Sequence, residues 1–392
     1  MLTVRTPANR PRARRGWLAW AALCAIAAGG APQAAPYVPD RDDVLLATLP
    51  RGVTYSSADT RQQAGARLDV ALPLAQFYIA QARASGDLRF LGYAESLLVR
   101  WRDRTPALPA VLVLDATILQ SRHSFAAALA ELDQALRAQP QDAQAWLTRA
   151  TVLRVLGRYP EASESCGHLA DADAALAQLC AQSVRGLNGH LNSAYTSIMS
   201  LPQESLSNAA HGWRCSELGE MAVRMGDAGA AAHWFREALQ LAPDDVYTRA
   251  AYADLLLRAG RAADTLRLLD GYESMEPMLL RIAIAQQQLG DRREPQSRAL
   301  LASAFSVEER RGESVHRREQ ARFLLEVTHT GSAALRAAQE NWRVQREPAD
   351  VLILMRAAQA AGQSDAAAPA VEFVRQQGLE DARLAPYLKS AP

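Results

Sequence analysis

The groups able to do chemistry in this 392-residue chain are seven histidines, four cysteines and a few paired acids. His123, His168, His190, His211, His233, His316 and His329 are scattered, without the short fixed intervals of a zinc site. Cys166-Gly167-His168 sets a thiol near an imidazole, but residues i and i+2 of a helix point apart, so no Cys–His nucleophile is expected there. Glu308-Glu309 and Asp244-Asp245 are acids of the kind that solvate a loop or start a helix near its positive end. No phosphate loop, dinucleotide fingerprint, HExxH, CxxC or GxSxG occurs. Lys389 is the sole lysine, which removes Schiff-base and Walker-type chemistry. The expectation is a non-enzyme with no catalytic residue, no metal and no cofactor.

What must position the remaining polar groups follows from composition and pattern. There are 43 Lys+Arg against 42 Asp+Glu, a net charge of +1, and 49% of residues are hydrophobic. This balance carries neither the basic excess of a nucleic-acid binder nor the acidity of a solvating disordered chain. Alanine makes up about a fifth of the chain, far above ordinary usage. Arg5, Arg10, Arg12, Arg14 and Arg15 precede an apolar run, Trp17 to Ala28, and a small-residue exit. That order is the pattern of a signal peptide, taken as residues 1–34, and the run is too short to span a bilayer comfortably. A periplasmic or secreted protein is expected, with an uncleaved membrane anchor as the alternative. Removing the segment leaves 38 basic against 42 acidic residues, a net −4, and three cysteines. No later segment reads as an integral membrane span. A leader, 35–59, holds three prolines and little helical pattern.

The rest is periodic. Glycines that end apolar helices are read at Gly157, Gly189, Gly226, Gly260, Gly290, Gly331 and Gly362, spaced 32, 37, 34, 30, 41 and 31 residues apart. Prolines read as closing second helices sit at Pro140, Pro243, Pro277 and Pro348. Within 212–245, Leu218, Ala222, Ala231, Phe235 and Ala238 fall at helical spacing on either side of Gly226. Small alanines let two helix axes approach while Phe235 fills the space beside them.

These residues resemble the tetratricopeptide repeat (TPR) family. Segment 145–166 supplies Trp146, Ala150, Gly157, Tyr159 and Ala162, and 111–140 supplies Ala116, Phe125, Ala128, Ala135 and Pro140. Segment 214–243 matches at Leu218, Gly219, Gly226, Ala231, Phe235, Ala238 and Pro243. The clearest units are 109–174 and 212–279, with degenerate ones at 60–106, 175–208 and 317–380. The resemblance implies an all-α fold: one right-handed, elongated superhelical solenoid of about seven to eight stacked helix-turn-helix units over 60–388, with 389–392 as a tail. It also implies a concave groove lined by first helices, which on this chain gives Arg154, Ser183, Trp213, Glu220, Arg224, Tyr247, Asp254 and Arg258. Internal Glu220–Arg224 and Asp254–Arg258 pairs are the alternative use of these charges. Cys166 and Cys180 fall on adjacent helices of such a stack, within disulfide reach; two buried free thiols are the alternative. Cys215 stands where the family commonly has Trp. The charge-alternating insert 291–319 reads as a flexible solvated loop, or else as a second surface.

The function expected is a non-enzymatic exported scaffold that binds a protein or peptide partner in its groove and assists assembly of an envelope or secreted complex. The alternative is a periplasmic carrier or biogenesis factor holding a small molecule or glycan. No nucleic acid is expected as partner, and association with a membrane complex is consistent with this reading.

Overall fold

The computed structural model describes residues 41, 56, 58–102, 104–311 and 316–388. The signal-peptide reading (1–34), the tail (389–392) and the leader up to residue 57, apart from Arg41 and Ser56, lie outside them. The described residues within 49–392 belong to one compact unit and contain no strand.

Twenty α-helices follow one another among the described residues. A short α1 (Ala58–Ala64) precedes the pair α2 (Leu68–Ser85) and α3 (Arg89–Arg102). Next come α4 (Pro109–Ser121) with α5 (Phe125–Ala138), α6 (Ala143–Val155) with α7 (Tyr159–Gly167), and α8 (Ala174–Arg185) with α9 (Leu191–Met199). Then α10 (Asn208–Met225) pairs with α11 (Ala228–Leu241), and α12 (Val246–Arg258) with α13 (Ala262–Leu268). The last pairs are α14 (Glu276–Leu289) with α15 (Glu294–Arg311), α16 (Arg317–Arg322) with α17 (Gly331–Trp342), and α18 (Pro348–Ala360) with α19 (Ala368–Gln377). A one-turn α20 (Ala385–Leu388) ends the described chain. From α2 to α19 this makes nine helix pairs among the described residues, an all-α solenoid.

The local signals are physical. Asp142, Asp173, Asp227 and Asp245 cap helix N-termini by accepting backbone N–H groups at 2.9–3.1 Å. Gly157 and Gly226 turn the chain at φ +72° and +82°, a region closed to most side chains. In the α10/α11 pair Leu218, Ala222, Ala231, Phe235 and Ala238 are all buried. Gly219 lies so close to the Phe235 ring that an added Cβ would sit 2.4 Å from it.

Several markers play other parts than the sequence reading assigned them. Gly331 opens α17 instead of ending a helix; the left-handed residue in that turn is His329, at φ 54°. What requires glycine at 331 is crowding, since a Cβ would meet the Ala360 carbonyl oxygen at 2.5 Å. Pro277 and Pro348 stand in the first turns of α14 and α18, where a missing N–H costs nothing, so they start helices. Much of the insert 291–319 is helix α15, and Arg318 at its end is tied into the interior.

The chain also does not stay extended. Residues 321–384 share one hydrophobic core with 112–187. Phe373 packs edge-on against Tyr159 and over Gly157, and the Arg346 N–H donates to the Val155 carbonyl at 2.8 Å. The Leu191 N–H donates to Glu380, and Gly378 approaches Gly189 backbone to backbone. The last two units therefore pack back on the α4–α8 region, while Gly86 after α2 touches Met275 before α14.

Candidate functional site

With the first helices of all but one pair turned inward, the returning chain surrounds a half-open cavity of about 1200 Å³. Its wall takes side chains from α2, α4, α6, α10, α12, α14, α16 and α18, the first helix of every pair except α8/α9, and is completed by Arg383 and Tyr387. Seven carboxylates and seven guanidiniums line it, interleaved with aliphatic residues such as Ile79, Leu114 and Ile353.

Half of this charge is organised into ion pairs that tie neighbouring helices together. Asp254 Oδ2 on α12 accepts from Arg281 of α14 at 2.6 Å and from Arg322 of α16 at 3.0 Å. Arg322 reaches on to Glu326 (3.4 Å), which also accepts from Arg356 of α18 at 2.6 Å. Burial alone would raise the Asp254 carboxyl; Arg281 and Arg322 more than reverse it, holding it well below the ordinary carboxylate range. Arg318 forks onto Asp350 at 2.6 Å and onto Glu347 at 2.5 Å. Arg383 is paired with Asp381 at 2.5 Å. Arg83 and Arg258 are exposed to the cavity, and burial lowers the pKa of each. Tyr247 is 55% exposed, with its hydroxyl 3.5 Å from Glu220. The Glu220 charge raises the Tyr247 pKa first, with burial second, and burial raises Glu220 in turn.

Of the groove residues named from sequence, Glu220, Tyr247, Asp254 and Arg258 line this cavity. Arg154 and Trp213 sit beside it, both directed at Glu217: Arg154 is ion-paired there and the Trp213 indole N–H donates to it at 3.2 Å. Arg224 is buried and donates to the Gly186 carbonyl at 2.5 Å; Ser183 is buried and donates to the Cys180 carbonyl. These two brace helices and present nothing to a partner. Asp254 turns to Arg281 and Arg322 in place of Arg258, because residues on neighbouring helices reach it with better geometry than the i+4 residue of its own. The cavity residues missed from sequence, among them Arg318, Arg322, Glu326, Glu347 and Arg356, come from the degenerate C-terminal units, where repeat positions are hard to assign.

The structure joins Cys166 of α7 to Cys180 of α8 in a disulfide, with Cα atoms 5.5 Å apart. Cys215 is a buried free thiol whose pKa is pushed up by that burial.

No protein-family model matches the chain, and no curated protein sequence matches it. Solved structures do. The crystal structure of the APC/C hetero-tetramer Cut9–Hcn1 aligns at 11% identity over 83% of this chain and 63% of that one, with a TM-score of 0.50. A thermophilic TPR protein from Thermus thermophilus aligns at 20% identity over 49% of this chain and 100% of its own, with a TM-score of 0.41. PilF of Pseudomonas aeruginosa aligns at 16% identity over 63% and 94%, with a TM-score of 0.31. At such identities the likeness is one of fold, and the fold is the all-α solenoid of tetratricopeptide-repeat proteins. No helix among the described residues is long and apolar enough to cross a membrane.

Proposed function

We propose that this chain is an exported, non-enzymatic scaffold that holds an extended segment of a partner polypeptide in its central cavity. The observation that carries the reading is convergence: first helices from eight pairs direct guanidinium, carboxylate, tyrosine and aliphatic groups into one space of about 1200 Å³. A deep, uniformly apolar pocket would suit a carried small molecule better. Here the wall alternates charge with aliphatic patches, which suits a peptide whose side chains differ along its length. Gln76, Gln144 and Gln288 add groups that both donate to and accept from a peptide backbone. Tyr247 and Arg258 are the anchors of the type that dominates such interfaces. Export rests on the basic and apolar N-terminal pattern, and assembly of an envelope or secreted complex is the role that accords with it.

The test places a photo-crosslinking residue at Tyr247 and, separately, at Leu300, an exposed residue of α15. Partners captured from the envelope fraction are then compared by mass spectrometry. A partner should be captured at 247 and not at 300, and Arg258→Glu should abolish its capture without changing the circular dichroism melt. Equal capture from both positions, or capture unaffected by Arg258→Glu, sinks the cavity reading.

A further inference from the structure

Beside the cavity, but not among the residues that line it, Glu276, Glu308 and His316 converge. Glu276 opens α14, Glu308 lies on α15, and His316 is the residue before α16, so three elements meet at one point. One ligand atom from each lies within 4.8 Å of the others, and all three side chains are less than a fifth exposed. His316 Nδ1 is 2.6 Å from Glu308 Oε1 and 3.3 Å from Glu276 Oε1.

A proton on Nδ1 satisfies this arrangement only in part. It lies along one line, and that line goes to Glu308. Glu276 Oε1 is left buried with no hydrogen-bond partner, although it faces the same nitrogen. A buried carboxylate oxygen without a donor is a costly state, and a cation at the centre of the three atoms removes it.

We propose that His316 Nδ1 and the carboxylates of Glu276 and Glu308 form a binding site for one divalent cation of the zinc class. Zinc bonds imidazole nitrogen and carboxylate oxygen at about 2.0–2.2 Å, which puts tetrahedral ligand pairs about 3.3–3.5 Å apart. The Glu276–His316 separation already has that value, and the Glu308–His316 contact has to open by less than about 1 Å. Calcium and magnesium fit worse, since both prefer all-oxygen shells of six or more ligands. With three protein ligands the fourth position falls to water. The neighbouring Glu319 adds to the negative potential at the imidazole. The bound ion clamps the insert that carries α15 to the start of α14, next to the cavity wall to which Pro277 and Glu319 belong.

The experiment uses the full chain, freed of metal with a chelator and dialysed. Cobalt(II) is titrated as a visible probe of coordination and then displaced by zinc, with bound zinc counted by elemental analysis. One equivalent of zinc should bind, displace cobalt with loss of its four-coordinate absorption, and raise the melting temperature. Glu276→Gln, an isosteric change, should weaken zinc at least tenfold, as should His316→Gln, while His329→Asn leaves it unchanged. Absence of saturable binding, or Glu276→Gln binding zinc as wild type does, would overturn the site. So would zinc binding that follows His329 instead of His316.

Discussion

His123 shows how one side chain records the packing of the whole chain. It sits at φ 57°, its ring lies on Phe125 at 5.3 Å, and its Nδ1 accepts from the Gln345 amide at 3.2 Å. Burial first, and the nearby Arg318 second, lower its pKa to about 4. The unfolded imidazole takes up its proton near pH 6.5, so between about 6.5 and 4 the unfolded chain binds more protons than the folded one. Stability should therefore be full above that window and decline as pH falls through it, by up to about 3 kcal/mol. Urea midpoints measured from pH 7 to 4 should show the decline. His123→Asn, which tolerates the left-handed backbone, should flatten it; an unchanged slope in that variant would reject the assignment. Sequence shows His123 only as one of seven scattered histidines. Its partner Gln345 is 222 residues away. The Glu276, Glu308 and His316 cluster is hidden because its members come from three elements at no recognisable metal-site interval. By contrast the inward placement of Glu220, Tyr247, Asp254 and Arg258 was legible from the repeat register of 212–279. Trp213 and Arg224, assigned by the same register, turn to Glu217 and Gly186 instead.

At the scale of elements, the helix pairs were legible wherever glycine ends a helix in left-handed geometry, as at Gly157 and Gly226. Gly331, Pro277 and Pro348 were misread because glycine and proline each serve two purposes. Glycine permits either an unusual φ or a close approach, and proline either stops a helix or begins one. The insert 291–319 was misread because its alternating charges resemble a solvated loop, although Leu301 and Phe305 are buried on one side of α15. Close approach is tested most sharply at Gly219. Gly219→Ala would gain helix propensity in α10 but force a methyl group into the Phe235 ring, so the variant should lose about 1–3 kcal/mol. Chemical denaturation of the purified protein reads this, and a neutral or stabilising result would mean that Phe235 has room to turn aside.

For the whole molecule, the repeat pattern says which helix packs on the next and nothing about which distant turns meet. The fold class was therefore legible and the return of the C-terminal units was not. Phe373 is the measure of that return, lying against Tyr159, Trp342 and the Gly157 turn. Phe373→Ala should cost about 3–5 kcal/mol, and hydrogen exchange should accelerate on both sides of the contact, in 143–187 as well as 348–379. Acceleration confined to the C-terminal side would show that the two regions are not energetically joined. The same shared core has a consequence for biogenesis. Ribosomes make the chain from its N-terminus, so by the time α8 is complete the apolar face around Tyr159 still awaits residues 321–384. For that interval the nascent protein carries an uncovered greasy surface, the aggregation-prone stage of its synthesis, which ends only when its last units are made.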